Sequence, residues 1–143
     1  MTKALEELSS EECERLLSTH HFGRLAVVVE GRPVIFPVNY EFAEGRIVIR
    51  SDPGVKVDAA TLASVAFEID GVDESTRTGW SVLVQGFSQD VTEAVDPVSE
   101  ALRSVPVEPW VPGHRTHWLR IEPRFVSGRR LGEAGVAAGG GRP

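Results

Sequence analysis

The sequence predicts a mainly β protein: an antiparallel barrel of six strands, closed or nearly so, with short helices at three breaks. Three observations carry that expectation. Apolar and polar residues alternate along several stretches, as where Val65, Phe67 and Ile69 interleave with Ala66, Glu68 and Asp70. Short glycine-bearing turns separate the early stretches, so neighbouring strands run antiparallel. Helical spacing interrupts the pattern only at the breaks, which favours a barrel over a parallel sheet, and closure hides the edge strands.

Leu8, Ser9 and Glu12 read as a helix start, in which Ser9 caps, Glu12 completes a capping box and Leu8 staples to Cys13. Cys13, Leu16 and Leu17 form the buried stripe of this helix, which ends near Thr19; Cys13 is read as core rather than as a reactive thiol. Phe22 to Glu30 is the first strand, Gly31 turns the chain, and Val34 to Phe42 is the second. Pro37 interrupts that second strand, where it cannot donate a ladder hydrogen bond, and it is expected to face a ligand. Glu44 and Gly45 turn the chain again, and Arg46 to Arg50 forms the third strand with Ile47 and Ile49 on one face. A second helix is entered through Ser51, Asp52, Pro53 and Gly54, with Ser51 or Asp52 as its cap and Val55, Ala59, Leu62 and Ala63 as its apolar spacing. Val65 to Asp70 is the fourth strand, Gly71 to Gly79 a loop, and Trp80 to Thr92 a long fifth strand bulged at Gly86. Asp96 and Pro97 open a third helix ending near Ser104, prolines 106, 109 and 112 enforce an irregular connection, and His117 to Val126 is the sixth strand. Residues 1–131 are expected to form one domain and residues 132–143, GEAGVAAGGGRP, a disordered tail.

At 143 residues and 41% hydrophobic content the chain suits one well-buried core. A net charge of -6 argues against a general nucleic-acid or anionic-membrane binder, leaving small molecules or protein as expected partners. Cys13 is the sole cysteine, so no intrachain disulfide forms, and a reducing cytoplasm is the simplest compartment. No apolar run approaches a bilayer span, and MTKALEELSS lacks the apolar core of a signal peptide.

The chemistry concentrates at the end of the third strand. Arg50, Ser51 and Lys56, together with the free N–H groups of a helix start, would suit a phosphate monoester, the plain alternative being a strand end with solvated charges. Asp52 would compete with a phosphate unless its carboxylate turns away. Trp80, Ser81 and Gln85 offer stacking, hydroxyl and amide partners to a planar ligand, although Trp80 also suits a core. Trp118 with Arg129 and Arg130 could close over a cofactor or sit on a sheet rim. His20 with His21 and His114 with His117 lack metal-ligand spacing, and nucleophile-elbow, P-loop and dinucleotide glycine patterns are absent.

Taken together, PVNY on the second strand, IRSDPGVK running into a helix, GWSVLVQG on the fifth strand, and HWLRIEP followed by VSGRR resemble the pyridoxamine 5'-phosphate oxidase-like proteins, flavin-binding split barrels, over about Ser9 to Leu131. The resemblance implies a six-stranded split β-barrel, a homodimer, and FMN at the subunit interface, with a deazaflavin coenzyme or haem as alternatives. It implies phosphate contacts from Arg50, Ser51 and Lys56, and a strand Pro37, Val38 and Asn39 whose backbone lies along the isoalloxazine ring. It further implies contacts from Ser81 and Gln85, and from Trp118 and Arg129 reaching across from a partner chain. The expected activity is oxidation or reduction of an unidentified small molecule, against a carrier or sensor that binds a flavin without turnover, or a structural homodimer with an empty cleft.

Overall fold

The computed structural model describes residues 2–113 and 115–133. Eight strands and three helices follow in the order β1 (Lys3–Glu7), α1 (Ser10–Thr19), β2 (Phe22–Val29), β3 (Arg32–Asn39), β4 (Glu41–Ala43), β5 (Arg46–Ser51), α2 (Val55–Ala60), β6 (Ala63–Asp73), β7 (Thr78–Asp90), α3 (Pro97–Leu102) and β8 (His117–Glu133). The strands form one antiparallel sheet in the order β3-β2-β6-β7-β8-β5-β4, with β1 added along the far part of β8. The sheet curls into a half-barrel, so β3 and β5 approach across a seam without pairing.

The expected hairpins are present, and their geometry explains them. Glu30 with Gly31, and Glu44 with Gly45, all take positive φ, the two-residue turn whose twist matches the flanking strands. Six strands become eight for two reasons. The expected second strand breaks at Tyr40, whose hydroxyl donates to the Leu17 carbonyl at 2.7 Å while its backbone N–H turns to the His21 carbonyl. The charged segment KALEE, which lacks a strand's usual β-branched or aromatic residues, still pairs with β8 from Lys3↔Glu133 to Glu7↔Arg129. The expected loop from Gly71 to Gly79 shrinks to a turn, because β6 and β7 stay paired out to Asp73↔Thr78 and the Asp73 carboxylate accepts from the Ser75 and Thr76 N–H groups. Strand β8 runs on to Glu133, two residues into the expected tail; residues 134–143 of that tail, and His114, lie outside the described residues.

Two cores hold the sheet. The larger lies inside the curl, around Leu17, Leu25, Tyr40, Ile49, Phe67 and Leu119. The smaller lies on the other face of β5, where Val48 meets Leu102 of α3 and Val107 of the following connection, with Trp118 against them. Strand β5 is therefore covered on both faces. Helix α1 caps the main core as expected: Ser9 Oγ accepts from Glu12 N at 3.1 Å, and Leu8 and Cys13 both sit against Gly128. The capping box is half-formed, because the Glu12 carboxylate turns instead to Arg15 and to Arg130 Nη2 at 3.0 Å. Those guanidinium groups, Arg15 first, pull the Glu12 carboxyl down to about 2. Burial, followed by Glu12 and Glu14, pushes the Cys13 thiol up, in keeping with a core role. Among the described residues no helix is long and apolar enough to cross a membrane, and no cluster of three or more His, Cys, Asp or Glu residues could hold a metal ion.

Candidate functional site

The seam carries the site. Strand β3 pairs only with β2, so its other edge is open, and Pro37 lies along it opposite Arg24. An edge tolerates a residue without an N–H, which is the physical reason the proline fits. Across the seam, β5 ends at Ser51 and α2 begins at Val55. Val107, Pro109, Val111 and Arg115, from the connection between α3 and β8, close the space. The result is a narrow cleft of about 70 Å³ lined by Pro37, Val38 and Asn39 of β3, by Arg50 and Lys56, and by Val107, Pro109, Val111 and Arg115 of the connection.

The cleft is rich in hydrogen-bond donors that lack acceptors. Arg50 is fixed by its neighbours: Nη2 donates to the Arg115 carbonyl at 2.7 Å and the guanidinium lies 4.8 Å from the Trp118 ring centre, Trp118 being its cross-strand partner. Among the described residues that leaves the buried Arg50 Nε without an acceptor. Asn39 Oδ1 accepts from Trp110 N at 2.8 Å, and its buried Nδ2 is likewise without an acceptor. Lys56 is half-buried, and burial, then Arg115, holds its ammonium below the usual lysine range, with Asp52 opposing. Arg115 donates to Asp52 Oδ2 and to the Val111 carbonyl, which pins the connection over the cleft. Two orphaned donors, and two cations, Arg50 and Lys56, that have no carboxylate partner among the described residues, need acceptor oxygens and negative charge. A phosphate or a similar oxyanion matches that need, whereas a metal ion does not.

Five of the ten expected site residues, Pro37, Val38, Asn39, Arg50 and Lys56, come together here, with Trp118 beneath Arg50. Ser51 does not join them. Adjacent residues of a strand face opposite sides, so Ser51 turns into the main core while Arg50 faces the cleft; it is 1% exposed and its hydroxyl donates to the Asp52 carbonyl. Neither Ser51 nor Asp52 caps α2, whose N-cap is Gly54 without a side-chain bond, and Pro53 stands before that helix rather than in it. The buried face of α2 is Val57 and Ala60, with Val55 and Leu62 exposed. Asp52 does turn away, toward Arg115. Ser81, Gln85 and Arg129 sit elsewhere, on the outward face of β7 and β8, while Trp80 turns inward and packs on the main core. Sequence reasoning missed Arg115 because it lies in the proline-rich connection, 65 residues beyond the arginine whose side chain it receives.

The chain matches the family model for pyridoxamine 5'-phosphate oxidase over residues 9–130. It is 36% identical over 131 residues to an uncharacterised protein of Mycobacterium tuberculosis, spanning 87% of this chain and 84% of that one. Among solved structures it resembles an FAD-binding protein from Mycobacterium smegmatis, at 34% identity and a TM-score of 0.73, over 87% of this chain and 98% of that one. It also resembles an FAD-binding protein from Mesorhizobium loti, at 25% identity and a TM-score of 0.72, over 92% of this chain and 100% of that one. A curled antiparallel half-barrel with this seam, and a family match covering nearly all of it, lead to one conclusion: the chain belongs to the pyridoxamine 5'-phosphate oxidase family.

Proposed function

We propose that the protein binds FMN, phosphate in the seam cleft, and works as a homodimeric flavin-dependent oxidoreductase on a small molecule. The observation that carries this is the pair of buried donors, Asn39 Nδ2 and Arg50 Nε, lining one cleft with Lys56 and Arg115. Arg50, braced by Trp118, and Lys56 take the phosphate oxygens, and Arg115 screens the remaining charge. The open edge of β3 at Pro37 and Val38 lies beside the ring. A bound flavin supplies the hydride chemistry; the chain supplies anchorage, orientation and exclusion of water.

The cleft is sized for a phosphate rather than a whole flavin, so the ring extends out of it. Ser81, Gln85 and Arg129 reach a cofactor only where a second chain brings its outward face to the seam of the first. Two relatives are FAD-binding proteins, which makes FAD the second reading for the same phosphate site, with a deazaflavin coenzyme third. Among the described residues the cleft lining includes no carboxylate, imidazole, phenol or thiol to move a proton, which favours a flavin carrier as the alternative to an enzyme.

The visible spectrum of the purified protein, followed by titration with FMN, FAD and the deazaflavin, tests the reading. Uptake of a flavin with a resolved absorption band is expected, and a colourless protein that takes up none of the three contradicts it. Faster reoxidation of the reduced, bound flavin than of free flavin, by any acceptor, separates enzyme from carrier.

A further inference from the structure

The chain carries thirteen arginines and two lysines, Lys3 and Lys56. The difference matters chemically, because a guanidinium keeps its charge at any ordinary pH while an ammonium can give up a proton and become a nucleophile. Lys3 lies beside Glu133 at 3.9 Å, where β1 pairs with the end of β8. Lys56 stands in the seam cleft instead, its Nζ 5.9 Å from the Phe36 ring centre and with no carboxylate partner among the described residues. Burial, then the charge of Arg115, holds its ammonium below the usual lysine range, with Asp52 opposing. A free amine is therefore easier to reach here than on an open surface.

The same small space holds two buried donors without acceptors among the described residues, Arg50 Nε and Asn39 Nδ2. Val38, Val107 and Val111 give it apolar walls. A nucleophile, an unfilled oxyanion holder and a short apolar wall within about 70 Å³ suit a small molecule that joins a phosphate to an acyl group.

We propose that Lys56 is a self-acylation site: the cleft binds a small acyl phosphate through Arg50 and Asn39, and Lys56 Nζ takes the acyl group. The free amine attacks the acyl carbon, so an N–C bond forms and the C–O bond to phosphate breaks. Inorganic phosphate leaves with the bonding pair and carries off the amine proton, and nothing is oxidised or reduced. The product amide is uncharged, which removes one of the two unpaired cations and weakens the cleft's hold on any anion. Acyl phosphate supply would thus set how well the cleft binds phosphate. Bound phosphate draws the ammonium back toward its usual range, so acylation should quicken as pH rises; Arg50, Arg115 and Asp52 are the charged groups beside the amine.

The proposal rests on the phosphate cleft of the reading above and not on its flavin, and mass measurement separates the two. The full chain, freed of any bound flavin, is incubated with acetyl phosphate and its acetyl groups are located by peptide mass mapping, with Lys3 as the internal reference. Lys56 is expected to react roughly tenfold or more faster than Lys3, the gain from holding donor and nucleophile together. Inorganic phosphate should protect Lys56 and leave Lys3 unchanged, and Arg50→Ala should bring the Lys56 rate down toward that of Lys3. Acetic anhydride, an acetyl donor without a phosphate, should show a much smaller preference for Lys56. Equal rates at the two lysines, no protection by phosphate, or the same preference with the anhydride as with acetyl phosphate would each overturn the proposal. These comparisons use the parent chain, so they decide the matter even where Arg50→Ala fails to fold. Protection by phosphate but not by FMN would contradict the flavin reading while supporting this one.

Discussion

Lys56 is the residue whose chemistry the site depends on most. Its ammonium, held low by burial and by Arg115, is the cation most ready to gain from an anion, and a bound phosphate should raise its pKa again. Two results are expected. Lys56→Glu should lower flavin affinity roughly tenfold or more, the value of one lost charge-assisted contact plus repulsion, readable by fluorescence titration. Binding should also weaken on the alkaline side sooner than an ordinary lysine would allow, since the free-state ammonium deprotonates below its usual range. Affinity that stays flat up to the usual lysine range would count against this role. Tyr40 shows the structural counterpart. Its buried hydroxyl satisfies the Leu17 carbonyl near the end of α1, so Tyr40→Phe should cost about 1–3 kcal/mol of unfolding free energy in denaturant titration, with flavin binding retained.

Among the elements, β7 and β8 are joined through a bulge between Gln85 and Gly86, which the sequence signalled through that glycine. A Cβ at Gly86 would stand 2.2 Å from the Glu122 carbonyl oxygen. Backbone cannot yield as a side chain does, so Gly86→Ala should destabilise the fold by about 1–3 kcal/mol or shift the register of β8, visible in thermal melts and amide exchange. Helix α1 is tied to β8 by Glu12 and Arg130. Because Glu12 titrates well below its unfolded value, its contribution is present above about pH 4.5 and is lost as pH falls toward about 2. Glu12→Gln should therefore melt earlier than the parent at pH 7, with the gap closing at low pH. The elements themselves were largely legible in the sequence, for the side-chain period of two in β2, β5, β6 and β7 and the cap at Ser9 are local signals. What was hidden depends on tertiary pairing: β1 is held by its partner rather than by propensity, and β8 outruns its apolar stretch because β7 and then β1 pair with it.

For the molecule as a whole, the same division holds for the site. Pro37, Val38, Asn39, Arg50 and Lys56 were within reach because they lie within one short stretch of sequence, on β3, at the end of β5 and on the helix that follows it. Ser51 was misplaced because its neighbour's chemistry drew attention away from strand alternation, and Arg115 is brought in only by the folded connection. Curling the sheet places the open edge of β3 against the end of β5, and that seam converts separate strand ends into a cleft lined by donors. The central claim, that this cleft holds the phosphate of a flavin, is tested most directly by comparing FMN with riboflavin, which shares the ring and lacks the phosphate. Titration of the cofactor-free protein should show FMN binding at least tenfold more tightly than riboflavin, with the gap much reduced in Lys56→Glu. Equal affinity for the two would contradict the account.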